Sequence, residues 1–455
     1  MKAKRMPHSL IAASLFLSTV VGAVGQQLDG PGRVVTREQR DARAADWRDK
    51  RFGMFIHWGP VSLKGTEIGW SRAGERRDRK ETITKGVPAA EYDSLYKQFN
   101  PVKFNADQWV AIAKAAGMKY IVLTAKHHDG FCMFDSKLTD YKITNTPFKR
   151  DVTAELAAAC RKAGIGLGLY YSPPDWHHPD YCTPNHARYI KYLHGQVREI
   201  LTNYGPLVSL WFDRTGGVNA AETWDNPRLF KMIRGMQPQV MITTRCGGLA
   251  HGGVWGDFDS PEQRVGGFQM DPPWETCMTI CRQWAWKPKD QMKSLEQCLH
   301  ALIASAGGDG NLLFNVGPTP EGEIEGRQVE RLKEMGAWLE KNGESIYGTR
   351  GGPYKPGKSY VTTRKGNTIY MHIFKWPEGG IQLPQLPARI TGSSLLVGTG
   401  KPTVTQTAQG VTVSVDVSEG RQSIDTVVKL EIDQPALTLA PIDPLPAESS
   451  GPKKK

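Results

Sequence analysis

One unit recurs three times between residues 100 and 215: an amphipathic helix that stops at a glycine and is followed at once by an apolar run. ADQWVAIAKAA stops at Gly117 before KYIVLTA, TAELAAACRKA at Gly164 before IGLGLYY, and ARYIKYLHGQVREILTNY at Gly205 before LVSLWF. Glycine suits the left-handed residue that closes a helix, and Asn105 and Asp151 are expected to cap two of the starts. Helix-to-strand units of this length require parallel strands joined by crossover helices. FGMFIHW before the series and QVMITTR and NLLFNVGP after it extend the pattern. The expectation is an α/β fold with a (β/α)8 TIM-like barrel over residues 26–350. Eight strands do not separate cleanly, because the stretch from Gly247 to Trp286 is rich in Gly, Pro and Trp and reads as long loops holding two short strands.

After NGESIYGTRGGP the grammar changes to short β-like runs, SYVTTR, TIYMHIF, SLLVGT, VTVSVDV and TVVKLEI, separated by Gly, Pro and Asn. These predict a small C-terminal antiparallel β-sandwich over 351–440, followed by a Pro, Ser and Lys-containing disordered tail over 441–455. At the other end, Lys2, Lys4 and Arg5 precede an apolar run from Leu10 to Val24 that closes on Ala23-Val24-Gly25. That is the layout of a secretory signal peptide over 1–25, so the protein is expected to be exported, to the periplasm or the medium. No later segment is apolar enough to span a bilayer.

The net charge of +12 raises nucleic acid as a partner, but half of it sits in the signal and in Lys453, Lys454 and Lys455. The run from Arg72 to Lys80 is interrupted by Glu75 and Asp78 and reads as a solvated loop, so no nucleic acid is expected. Seven widely spaced cysteines resemble no disulfide scaffold. Cys277 and Cys281 lack the second close pair or the flanking histidines that a zinc site needs.

The apolar runs end on residues that can do chemistry: His57, His127 with His128, Tyr171, Asp213 and Arg245. Polar groups collected at the carboxyl ends of barrel strands are how this architecture builds an active site at one mouth. Asp213 ends LVSLWF, so its carboxylate should emerge from an apolar wall into that mouth. The histidines invite a metal reading, but paired strand ligands would alternate as His-x-His, and Lys126 is a poor neighbour for a cation. Neither a metal nor a cofactor is expected.

FGMFIHWG, LTAKHHDGF, LYYSPPDW, LWFD, WETCMT and GGDGNLLFNVGP, in that order, resemble the α-L-fucosidases of glycoside hydrolase family 29 over roughly residues 45–350. The resemblance implies exo-acting hydrolysis of terminal α-L-fucose from oligosaccharides or glycoconjugates, with Asp213 as the nucleophile of a retaining double displacement. It also implies that His57, His127 and His128 bind ring hydroxyls, with Tyr171 and Arg245 completing the site. A second carboxyl must protonate the leaving oxygen. Glu262 in DFDSPEQ is favoured for this over Glu275 in PPWETCMT, with Asp257 and Asp259 shaping the loop. Glu67, Trp70 and Trp58 are further binding candidates, Trp58 by stacking on the sugar's apolar face. Family members carry Glu and Trp adjacent, whereas Ile68 and Gly69 intervene here. A metal-dependent barrel hydrolase and a fucose-binding protein without turnover are the alternatives.

Overall fold

The computed structural model describes residues 36–213, 224–246, 255–416 and 420–448. The signal read over residues 1–25 lies outside them. Seven parallel strands form one sheet: β1 (Phe52–Ile56), β2 (Tyr120–Lys126), β3 (Gly166–Tyr171), β4 (Ser209–Phe212), β5 (Met241–Ile242), β6 (Glu275–Thr279) and β7 (Asn311–Val316). Their order is β5-β4-β3-β2-β1-β7-β6. Single bridges close the gap between β5 and β6, from Thr243 to Phe258, Asp259 to Trp274 and Glu262 to Cys277. Residues 257–262 are thus an irregular eighth stave. The segment is mostly polar, and Pro261 has no N–H to give a ladder, so one of the two short strands expected in this stretch is reduced to single bridges.

The helices include α1 (Arg37–Lys50), α2 (Ala106–Ala115), α3 (Val152–Ala163), α4 (His186–Asn203), α5 (Asn226–Met236), α6 (Leu295–Gly307) and α7 (Gly326–Asn342), of which α2 to α7 lie in the outer layer. Asn105 caps α2 by accepting from the Gln108 N–H at 3.0 Å, and Asp151 caps α3 by accepting from Ala154 at 2.9 Å. Gly117, Gly164 and Gly205 all take positive φ, at 82°, 68° and 81°, so each repeat turns from helix to strand on a residue with no Cβ to clash.

Alternation along each strand separates two cores. Phe55, Val122, Tyr170, Trp211, Met241, Cys277 and Leu313 meet inside the barrel, joined by Ala44 and Trp47 of α1. Ile56, Leu123, Tyr171, Phe212, Ile242 and Phe314 face outward against the helices. α1 is tied to the amino-terminal end of the strands, where the Asn311 amide donates to the Trp47 carbonyl at 2.9 Å. The opposite, carboxyl end is left for the site.

The C-terminal unit packs a five-stranded antiparallel sheet and a three-stranded one around a common core that includes Ile369, Met371, Val428 and Leu430 on the first and Ile381, Leu383, Val411 and Val413 on the second. The disordered tail expected from residue 441 is corrected as far as Glu448. Ile442 bridges to Tyr354, its N–H donating to the Pro353 carbonyl at 2.8 Å, and the Glu448 carboxylate accepts from the Ser359 N–H at 2.9 Å. Ile442 packs against the core of this unit and anchors a segment otherwise rich in proline and acidic residues. Among the described residues, Cys132, Cys160, Cys277, Cys281 and Cys298 are buried free thiols and Cys182 is exposed. No described helix is long and apolar enough to cross a membrane.

Candidate active site

Asp213 follows β4 directly and stands at the mouth with its side chain 16% exposed. One carboxylate oxygen accepts from the Arg245 guanidinium at 2.7 Å, the other from the Tyr170 hydroxyl at 2.9 Å, and His128 Nε2 lies 3.5 Å away. Burial pushes the carboxyl upward, but Arg245, His128 and these hydrogen bonds outweigh it and hold Asp213 below the ordinary aspartate range. Arg245 sits in a single 3₁₀ turn after β5, 5.0 Å over the Trp211 ring. Its second terminal nitrogen donates to Glu262 at 2.9 Å and to the Ser260 carbonyl at 3.0 Å. One guanidinium therefore joins a sheltered carboxylate to one whose side chain is 44% exposed at the rim.

The three histidines converge on the same place. His57 Nδ1 is 2.6 Å from the Asn315 side-chain oxygen, and its ring packs on Trp284 at 4.8 Å and on Phe55 at 4.4 Å. His127 stacks on Tyr170 at 5.4 Å, and His128 Nδ1 lies 2.5 Å from the Ser172 hydroxyl. Adjacent histidines reach one pocket because β2 has already ended at Lys126. Burial drives the imidazole of His57 down to about 3 and that of His128 to about 4, and it lowers His127 well below its ordinary value. Neutral rings can each donate from one nitrogen and accept at the other, as sugar hydroxyls require. His127, His128 and Asp213 bring donor atoms within 4.8 Å of one another, a spacing open to a cation. Both Asp213 oxygens are already taken, however, and Arg245 is the cation that this carboxylate answers.

Register after Thr124 of β2 shifts against β3, and Lys126 lies 4.5 Å over the Tyr171 ring, where it pairs with Asp175 at 2.9 Å. Both partners are buried, and Lys126 holds Asp175 below its ordinary range against the upward push of burial. Asp175 also accepts from the His177 and His178 N–H groups, fixing the loop that carries Ser172 and Trp176 against His128. Removing the cation leaves a buried charge unpaired, so Lys126→Met should cost about 3–5 kcal/mol of stability. A thermal midpoint equal to wild type contradicts this.

Three expected site residues stand elsewhere. Tyr171 faces outward and donates to Gln196 at 2.8 Å; its neighbour Tyr170 is the tyrosine that meets Asp213. Trp58 is 1% exposed, packed among Phe99, Phe104 and Trp109, with its indole N–H donating to the Thr319 carbonyl at 2.9 Å. Glu67 spends its carboxylate on the backbone N–H groups of Trp284 and Ala285, at 3.0 and 3.1 Å, and so seats Trp284 beside His57 rather than lining the pocket itself. Trp70 stands beside the histidines, edge-on to His128 at 5.4 Å and to Trp176 at 5.2 Å. Tyr170, Trp211, Trp284 and Asn315, which the sequence pattern did not single out, contact Asp213, Arg245 or His57.

Glu275 opens β6 and pairs with Asn311, the first residue of β7, so it lies at the amino-terminal end of the barrel. It is fully buried, accepting from the Tyr120 hydroxyl and from the Trp211 indole. Burial lifts it from 4.5 to about 7 despite those hydrogen bonds, so the stability it contributes is fully present below pH 4.5 and is lost as pH rises through about 7. Glutamine stays neutral throughout. Glu275→Gln should therefore gain stability on wild type across that window, by on the order of 1–3 kcal/mol, read as a rising difference in thermal midpoint. A difference that does not change with pH contradicts the assignment.

The family model described as Alpha-L-fucosidase matches residues 32–344. The human plasma alpha-L-fucosidase is 32% identical over 404 residues, covering 81% of this chain and 84% of that protein. Among solved structures, alpha-L-fucosidase isoenzyme 1 from Paenibacillus thiaminolyticus superposes with a TM-score of 0.78 at 37% identity, covering 87% of this chain and 100% of that one. A family 29 enzyme from Bacteroides thetaiotaomicron, solved as a trapped covalent intermediate in complex with 2-fluoro-fucosyl fluoride, superposes with a TM-score of 0.77 at 27% identity, covering 89% and 98%. A family match across most of the chain, carried by relatives that share its fold, establishes that this protein belongs to the α-L-fucosidases of glycoside hydrolase family 29.

Proposed function

We propose that the chain releases terminal α-L-fucose from oligosaccharides or glycoconjugates by a retaining double displacement, with Asp213 as nucleophile and Glu262 as acid/base. The observation that carries this reading is Arg245, which hydrogen-bonds both carboxylates at once. That bridge gathers the two carboxylates on one guanidinium at the barrel mouth, and hydrolysis of a glycosidic bond works with just such a pair of carboxyls. Asp213, held ionised, attacks the anomeric carbon while Glu262 gives its proton to the departing oxygen. Water then attacks the same carbon, losing its proton to Glu262 as the bond to Asp213 breaks. The neutral imidazoles of His57, His127 and His128 suit ring hydroxyls. Trp284, partly buried and packed on His57 at 4.8 Å, is the aromatic face that suits a sugar ending in a methyl group, with Phe55 and Trp211 packed behind it.

We also read residues 1–25 as an export signal, which amino-terminal sequencing of the protein recovered outside the cytoplasm tests. The stereochemistry is tested by NMR during hydrolysis of an aryl α-L-fucoside. α-L-Fucose as the first-formed anomer is the expected result. First formation of the β anomer would overturn double displacement.

A further inference from the structure

We propose that Glu275 is a positioning residue for the reaction, holding the Trp211 indole from inside the barrel so that Tyr170 and Arg245 stay aimed at Asp213. A carboxyl enclosed in a barrel interior is costly to bury, and an apolar residue of similar volume would fill the same space. What Glu275 adds is an acceptor for one N–H, the Trp211 Nε1, at 3.0 Å. Packing alone leaves a buried indole a choice of ring orientation, and an acceptor on one side selects the orientation that satisfies its N–H.

Trp211 is the surface against which both of the groups that hold Asp213 rest. Tyr170 is its register partner on β3 and stacks on it at 5.8 Å with the planes 21° apart. Arg245 lies over the same ring at 5.0 Å. Those two residues donate the hydrogen bonds to the two Asp213 oxygens, at 2.9 and 2.7 Å. A tilt of the indole therefore displaces both donors together. Glu275 is itself held by the Tyr120 hydroxyl on its other oxygen, which anchors the chain of contacts in the wall of β2. Catalysis is steep in such placement, a shift of about 1 Å costing on the order of 10²-fold.

The proposal rests on Asp213 as the nucleophile, and its test is a double-mutant cycle read in kcat and KM on an aryl α-L-fucoside. The variants are Glu275→Leu, Trp211→Phe, the pair, and Glu275→Gln. Glu275→Leu should lower kcat by about 10–100-fold with KM changed far less. Glu275→Gln, which keeps an acceptor for the indole, should recover most of that loss. In the Trp211→Phe background, where no N–H needs an acceptor, Glu275→Leu should cost much less than it does in wild type. The same kcat loss in both backgrounds, or a lowered thermal midpoint with unchanged kcat, overturns the proposal. If Glu275→Leu does not fold, Trp211→Phe carries the test, since it must itself lower kcat; an unchanged kcat overturns the proposal. Wild-type protein that leaves the aryl α-L-fucoside intact would instead overturn the functional reading on which the proposal stands.

Discussion

Asp213→Gly should lower kcat/KM for an aryl α-L-fucoside by roughly 10⁴-fold or more, because it removes the atom that forms the covalent bond. The substitution leaves room beside the anomeric carbon, so added azide should restore turnover and yield a fucosyl azide. The loss is chemical rather than structural, since Asp213 lies just past the end of β4 and outside its ladder. The thermal midpoint should therefore stay close to that of wild type. Full turnover in the variant would move the nucleophile to another residue.

Glu262→Ala should separate substrates by their leaving groups. A poor leaving group needs the proton that Glu262 supplies, and its cleavage should fall by roughly 10²–10⁴-fold. An activated aryl group departs with little help, so formation of the fucosyl-enzyme from it should be nearly unaffected. Glu275→Gln should show no such dependence, because the residue lies at the far end of the barrel from Asp213 and has two internal donors as its partners. If the leaving-group dependence followed Glu275 instead, the assignment of the acid would be reversed.

The strand ends were readable in the sequence because a short apolar run closing on a polar residue has few other uses. Which residue of a run faces inward was not. Parallel strands covered on both sides are apolar at every position, and GLGLYY offers two adjacent tyrosines with no alternation to choose between them. Register decides it: Asp213 and Trp211 share a face, and Trp211 pairs with Tyr170, so Tyr170 is inside and Tyr171 outside. The same blindness applies to Trp58, which follows His57 at a strand end but turns into the packing between β1 and α2. Glu275 and Glu262 differ in height along the barrel, which depends on where β6 begins, and the irregular stave at 257–262 hid that boundary. Glu67 stood out in the sequence as a binding candidate, but its carboxylate accepts from the backbone of Trp284, more than 200 residues away in sequence, a contact that only the fold creates.

The central claim is that fucose is carried on Asp213, and incubation with 2-deoxy-2-fluoro-α-L-fucosyl fluoride tests it most directly. Fluorine at C2 destabilises the cationic transition states of both steps, while fluoride departs readily, so the glycosyl-enzyme should accumulate and activity should fall with time. Peptide mapping by mass spectrometry should then find one added fluorofucosyl group, on the peptide containing Leu210, Trp211, Phe212 and Asp213. An adduct on any other carboxylate, or turnover of the reagent with no adduct at all, would contradict the account.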